Sequence, residues 1–263
     1  MSTSIEVDGI QLDTALIESQ IAKHPNRLLF VTMSGAHLYG FASPDSDYDL
    51  RGAHVLPAKE LLGLHQPRET FDILDRDLPI EMDIVTHDVR KFFSMLLRNN
   101  GYVLEQIFSP IVLYAAPEFS ELKEIAATCI TRNCRHHFRS FAKHQWKSVA
   151  GSSAGTVKGL LYTYRPLLAG IHLMREHRVE SNLRVLNESF GLPFIDDLIA
   201  QKIGGEEKQL LGSLDMQFHE QEFERLLGEL ESASESSGLP EHAQGRDALN
   251  DLLLRLRLAT LQS

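Results

Sequence analysis

The sequence predicts an α+β chain in which a small mixed-sheet module, residues 1–115, is followed by an α-helical module, residues 116–263. Two observations carry this. Before Pro110 the apolar run Leu28 to Met33 and the segments Asp47 to Val55 and Pro79 to Val85 are short, strand-like and separated by turn residues. After Pro110 the composition turns helical and stays so to the end. A chain of 263 residues with 43% hydrophobic content can bury a substantial core as one large domain or two small ones. No internal repeat interrupts the plan.

In order, residues 11–24 read as an amphipathic helix with Asp13 as N-cap and Leu16, Ile17 and Ile21 inward. A strand from Arg27 to Met33, a glycine turn, and a strand from Asp47 to Val55 come next. Pro57 opens a short helix to Leu62. Residues 64–78 have no clear period and read as a hairpin or mobile connection. After the strand containing Asp83, Thr86 or Asp88 caps a helix to about Arg98, which Asn99-Asn100-Gly101 terminates. Residues 117–150 give one or two helices, 154–177 a helix kinked at Pro166, and 180–190 another. A helix from Pro193 ends at Gly204-Gly205, 206–233 is acidic and helical, and Asp247 to Leu261 closes the chain. Ser232 to Gly245 is the linker candidate.

Charge and cysteine content exclude several classes. A formal charge of −10 argues against coating duplex nucleic acid by bulk electrostatics. Cys129 and Cys134 form neither a CxxC motif nor a disulfide framework. No apolar run reaches the ~18–20 residues of a membrane span, and the N-terminus lacks a signal core, so the expected compartment is cytoplasmic.

The chemistry concentrates in residues 34–49. Side chains two apart in a strand share a face, so Asp47 and Asp49 are expected side by side with Tyr48 opposite. Adjacent carboxylates repel unless a cation lies between them, and such oxygen ligands suit Mg²⁺ or Mn²⁺. In the segment Pro79 to Val85, Asp83 shares a face with Glu81 and Val85 and is the expected third carboxylate, since it lies deeper in the apolar run than Glu81. The turn at Gly35 offers backbone N–H groups to phosphates, with His37 a candidate donor to a substrate oxygen. Together these suit in-line phosphoryl transfer.

A second signal is a basic window. Between Glu124 and Glu176 the 51 residues contain no acid but eight cations: Arg132, Arg135, Arg139, Lys143, Lys147, Lys158, Arg165 and Arg175. The first five fall at helical spacing on one face, which is either a solvated surface or a groove for nucleotide phosphates or RNA. Lys158, Tyr162 and Arg165 share a face of the next helix and are expected to point two cations at the carboxylates. The pair His136 and His137 diverge on a helix, and Trp146 reads as core.

The segments Gly35-Ala36-His37-Leu38-Tyr39-Gly40, Ser43-Pro44-Asp45-Ser46-Asp47-Tyr48-Asp49 and Arg51-Gly52, with Asp83 in a later strand, resemble the DNA polymerase β nucleotidyltransferase superfamily. Within it they are most similar to the RNA-ligase-associated, stand-alone bacterial and phage branch. The likeness is close over residues 27–115 and weaker through the helical part, where Lys158 and Tyr164 to Leu168 fit. One departure is Ala36, where the family commonly has Ser or Gly; Ser34 or Ser46 is the candidate replacement for a hydroxyl contact to phosphate. The resemblance implies a polymerase β-like module that moves a nucleoside monophosphate from an NTP, with ATP the expected one, to a hydroxyl and releases pyrophosphate. Asp47 and Asp49 would hold two metals, and Asp83 would bind the catalytic metal and act as general base. Gly35 and its neighbours would cradle phosphates while Lys158 and Arg165 neutralise the pyrophosphate. The acceptor implied is an RNA end, held through Arg135, Arg139 and Lys143. The alternatives are a protein hydroxyl, as in adenylylating antitoxins, and a non-catalytic nucleotide- or RNA-binding module.

Overall fold

A computed structural model of the protein describes residues 5–151, 156–206 and 215–261. The expected helix starts at 154–155 and the stretch 207–214 of the expected acidic helix lie outside the described residues. The chain divides into two compact units that are not consecutive in sequence. The first comprises residues 1–38, 44–129 and 243–263, and the second residues 39–43 and 130–242. A single cut near 115 therefore differs from the observed partition. Helix α6 (Phe119–Ala127) and the C-terminal helix α12 (Arg246–Ala259) belong with the sheet.

The first unit opens with a two-stranded hairpin, β1 (Glu6–Val7) and β2 (Ile10–Gln11), ahead of α1 (Thr14–Ile21). Asp13 caps α1 as expected, accepting from the Leu16 N–H. The main sheet is formed by β3 (Arg27–Met33), β4 (Tyr48–Val55), β5 (Thr70–Asp75), β6 (Met82–Asp88) and β7 (Val112–Ala115) in the order β5-β6-β4-β3-β7. Only the β4–β6 pair is parallel, so the sheet is mixed. Between the strands lie α2 (Gly35–Tyr39), α3 (Ala58–Leu61), α4 (Val89–Leu96) and α5 (Gly101–Phe108).

Strand β3 is buried on both faces, which accounts for its unbroken apolar run. Leu28, Val31 and Met33 join Tyr48, Leu50, Met82, Ile84 and Ile17 of α1 in one cluster. On the other face Phe30 stacks on Phe119 at 4.5 Å between centroids and meets Phe92 of α4 edge-on. Burying each such side chain contributes roughly 1.5–3 kcal/mol.

Two local expectations are corrected. Asn100 does not end α4: its side chain accepts from the Tyr102 and Val103 N–H groups and starts α5. The stop is Asn99, with a left-handed φ of 60°. Residues 112–115 after Pro110 are a strand rather than a helix, because pairing with β3 satisfies their backbone. Within 64–78, residues 70–75 form an edge strand antiparallel to β6, which is the hairpin among the two expected readings.

The second unit holds α7 (Arg135–Ala150), α8 (Val157–Glu176), α9 (Leu183–Phe190), α10 (Pro193–Gln201) and α11 (Met216–Ser236). Helix α8 runs unbroken through Pro166 and is its buried centre. Residues 237–245, inside the expected linker, are tied down: Pro240 accepts from the Arg132 N–H, and the Gln244 N–H donates to Thr128.

In the first unit, two sets of polar side chains are buried with their partners. Asp88, fully buried, caps α4 through the Arg90 N–H and receives both arms of its ion pair from Arg257 Nη2 at 2.5 and 2.6 Å. That pair fixes α12 to the sheet unit, and breaking one partner leaves an uncompensated buried charge worth roughly 3–5 kcal/mol. Nearby, Thr86 Oγ1 is shared by His24 Nε2 at 2.9 Å and His54 Nδ1 at 2.8 Å. Burial, reinforced by the neighbouring His24, pushes His54 down to about 4, and burial with Lys91 does the same for His87.

Two outcomes are expected. Both imidazoles are neutral in the fold and bind protons more readily when unfolded, so their contribution is fully present above pH 6.5 and is lost as pH falls towards 4. The melting temperature should decline across that window, and His54→Gln should flatten the decline; an identical slope would refute the assignment. Arg257→Leu should lower stability by roughly 3 kcal/mol or more in urea unfolding.

Candidate functional site

The site is built on the first unit by strand register. Because β4 and β6 are parallel and in step, Asp49 lies directly opposite Asp83, and Tyr48 and Leu50 point to the other face with Met82 and Ile84. Tyr48 is buried and its hydroxyl accepts from the Asp13 N–H, which holds the start of β4. Asp47 stands one residue before the strand and is exposed. Glu81, the rival to Asp83, precedes β6 and pairs with Arg76 at 3.2 Å.

The carboxylates of Asp49 and Asp83 meet at one atom, Arg51 Nη2, at 2.9 and 2.7 Å. Arg51 is held on all sides. Its Nε donates to Tyr102 Oη at 2.8 Å, and its Nη1 donates to the carbonyls of Leu50 and Asp83 at 2.9 and 2.8 Å. The expectation that three carboxylates converge on one point is thus not met. Two of them converge on a guanidinium, and among the described residues no three His, Cys, Asp or Glu side chains are grouped to hold a metal. The physical reason is the one that predicted a cation: like charges in register require an opposite charge between them, and Arg51 supplies it.

The donor chemistry still fits a hard divalent ion. Both acidic side chains are about 30% exposed, so each retains an oxygen face open to solvent. Burial raises the Asp49 carboxyl above its ordinary value; Arg51 opposes this, and the charges of Asp83 and Asp47 push it further up. An added cation would relieve that repulsion. Asp47, Asp49 and Asp83 are the residues that would hold it.

Gly35 is bound into the same arrangement. Its φ is 60°, and a Cβ there would lie 1.9 Å from Asp49 Oδ2, so only glycine brings this backbone onto the carboxylate. The Ser34 N–H donates to the Asp49 carbonyl at 2.7 Å. Beyond it the expected turn is a single helical turn, α2. Ser34, Ala36 and His37 are buried, with His37 Nε2 against the Ser46 carbonyl at 3.4 Å and its ring edge-on to Tyr48. Ser46 is partly exposed beside Asp47.

Lys158 and Arg165 belong to the second unit. Lys158 is exposed on the first turn of α8, whereas Arg165 is 3% exposed and its guanidinium lies 3.9 Å over the Tyr39 ring. Arg165 thus anchors residues 39–43, and it has company. Arg184 Nε donates to the Gly40 carbonyl at 2.7 Å, and Lys202 Nζ donates to Ser43 Oγ at 2.8 Å. Gly40, at φ 81°, lies against the Asn182 amide, where a Cβ would be 2.1 Å away. The basic window is not free of acids in space: α11 provides Glu231 to Arg135 and Arg139, and Glu229 to Arg175. Lys143 remains exposed.

Arg51, Tyr102, Arg184 and Lys202 carried no assigned role in the sequence reading. Arg51 had a usable signal, standing two residues after Asp49 on the same strand face; the others have none that is local.

A profile of the RNA repair pathway DNA polymerase beta family matches residues 11–255. An uncharacterized protein of Methanocaldococcus jannaschii is 32% identical over 156 residues, covering 59% of this chain and 63% of that protein, so the match spans under two thirds of the relative's length. The uncharacterized protein YcgL of Bacillus subtilis is 28% identical over 238 residues, 87% of this chain and 88% of that one. Among solved structures, a nucleotidyltransferase-like protein from Exiguobacterium sibiricum aligns at a TM-score of 0.33 and 15% identity, over 85% of this chain and 73% of that one. With nearly its whole length matched by the profile, the chain belongs to the RNA repair pathway DNA polymerase beta family, a family of nucleotidyltransferases.

Proposed function

We propose that the protein transfers a nucleoside monophosphate from an NTP, ATP foremost, to the 3′ hydroxyl of an RNA, releasing pyrophosphate. The observation that carries this is the in-register opposition of Asp49 and Asp83 beside the close backbone of Gly35, within a chain of an RNA repair family. Bound Mg²⁺ would supply charge stabilisation at the transferring phosphoryl group and an acidified acceptor hydroxyl.

The chain's own residues do the rest. Asp83 is the group within the site suited to accept the acceptor's proton, with Asp47 and Asp49 as the remaining oxygen ligands. Arg51 sets the orientation of both strand carboxylates, and Tyr102 sets Arg51. The backbone at Ser34 and Gly35 lies against Asp49 and is the proposed cradle for a phosphate. Arg165 acts by position: it stacks on Tyr39 and so holds residues 39–43, the stretch that connects the Gly35 turn to Asp47. Lys158, exposed on the first turn of α8, stays a candidate phosphate contact. Among the described residues no helix is long and apolar enough to cross a membrane.

The decisive experiment incubates the purified chain with each labelled NTP, Mg²⁺ and total RNA. Label should enter RNA 3′ ends; label entering protein instead would replace the RNA acceptor by a protein hydroxyl. Asp47→Asn, Asp49→Asn and Asp83→Asn should each keep the fold and lose transfer by at least ~10²-fold, the scale of removing one transition-state charge partner. Near wild-type turnover in Asp49→Asn would show the site to be misassigned. Arg165→Lys keeps the charge but loses the planar stack on Tyr39, and is expected to lower stability by about 1–2 kcal/mol, checked by thermal unfolding.

A further inference from the structure

An open groove of about 910 Å³ lies on the first unit between residues 61–69 and the outward face of α4. It is separate from the residues of the carboxylate site and plays no part in the mechanism above. Arg90, Lys91 and Arg98 line it together with His65, and Glu69 is the one carboxylate among its lining residues. In a protein of formal charge −10 this is a local excess of positive charge.

The cations are placed to track a strand. Arg90 and Ser94 are one helical turn apart on α4, and Arg98 stands two residues beyond the end of that helix at Leu96. Arg90 and Arg98 are exposed, and neither forms an ion pair among the described residues. This contrasts with Arg135 and Arg139 of α7, both engaged by Glu231. Lys91 Nζ is anchored to Thr70 Oγ1 at 2.5 Å, which fixes its ammonium at the groove wall. Leu64 at the rim is fully exposed and offers an apolar surface beside the charges.

The elements that line the groove are joined along the chain to those that carry the carboxylates. Helix α4 leaves β6 at Asp88, five residues or about 17 Å along the strand from Asp83. Its far end leads back: Arg98 is four residues before Tyr102, whose Oη accepts from Arg51 between the two carboxylates. The Cα atoms of Arg98 and Tyr102 are therefore within about 14 Å.

We infer that this groove binds the phosphodiester backbone of a single-stranded RNA whose 3′ end is the acceptor; the inference rests on the proposed transfer to RNA. A charged groove beside an apolar rim is the arrangement that follows a single strand without reading its sequence. It replaces Arg135 and Arg139 as the seat of the acceptor.

The test uses the full chain and a fluorescein-labelled single-stranded RNA dodecamer, with anisotropy read over a KCl series. Arg90→Gln/Arg98→Gln should weaken binding at least tenfold at low salt and reduce the slope of log K against log salt by about 1.4, the value for two lost contacts on a single strand. Binding of a fluorescent ATP analogue should be unchanged in that variant. Both side chains are exposed, so the fold should tolerate the change, and an unaltered melting temperature checks it. Unchanged RNA binding overturns the inference, as does a loss confined to Arg139→Gln/Lys143→Gln. If the wild type binds ATP but no RNA, the groove assignment falls while nucleotidyl transfer stands. If RNA binds through the groove but no label is transferred, the groove stands and the proposed transfer falls.

Discussion

Two carboxylates facing each other across a parallel strand pair are unstable neighbours unless a positive charge separates them. Asp49 and Asp83 are placed this way by the β4–β6 register, and the Arg51 guanidinium fills the position between them. Much else in the first unit follows. Tyr102 and two main-chain carbonyls use the remaining guanidinium donors, so the start of α5 is tied to the middle of the sheet. Gly35 must lack a side chain because Asp49 occupies the space a Cβ would take. The orientation of acids, glycine and tyrosine is thus one electrostatic solution rather than four independent placements.

The outer parts of the unit obey the same rule of compensated burial. Asp88 is enclosed, yet its two oxygens are shared among Arg257, the Leu56 N–H and the Arg90 N–H. One side chain therefore caps a helix, secures a strand end and recruits the last helix of the chain. The histidines around Thr86 show the opposite compromise, kept neutral by burial and sharing a single hydroxyl.

Much of this was legible in the residues. An unbroken apolar run located β3, alternation located β4 and β6, and the apolar neighbours Met82 and Ile84 singled out Asp83 over Glu81. The Asp13 cap was visible for the same reason, since it depends on residues three apart. Features set by distant partners were not. Asn99-Asn100-Gly101 carries both a stop and a start, and Asn is a good residue for each, so composition hid α5. Strand β7 has four residues, too few to display a period, and exists because β3 has an open edge. The acid-free window looked like an unpaired cationic face because its partners, Glu229 and Glu231, come from α11. Arg165 looked like a phosphate contact because nothing near it in sequence announces Tyr39.

Residues 39–43 are bounded on both sides by the first unit yet pack inside the second, with Phe41 wholly enclosed and Gly40 pressed against the Asn182 amide. The second unit is thus completed by five residues inherited from early in the chain, and the first by a helix from its very end. Neither unit can be obtained as a single uninterrupted piece of polypeptide. The helical unit therefore draws on five residues translated well before its helices, and the sheet unit on α12, translated after them.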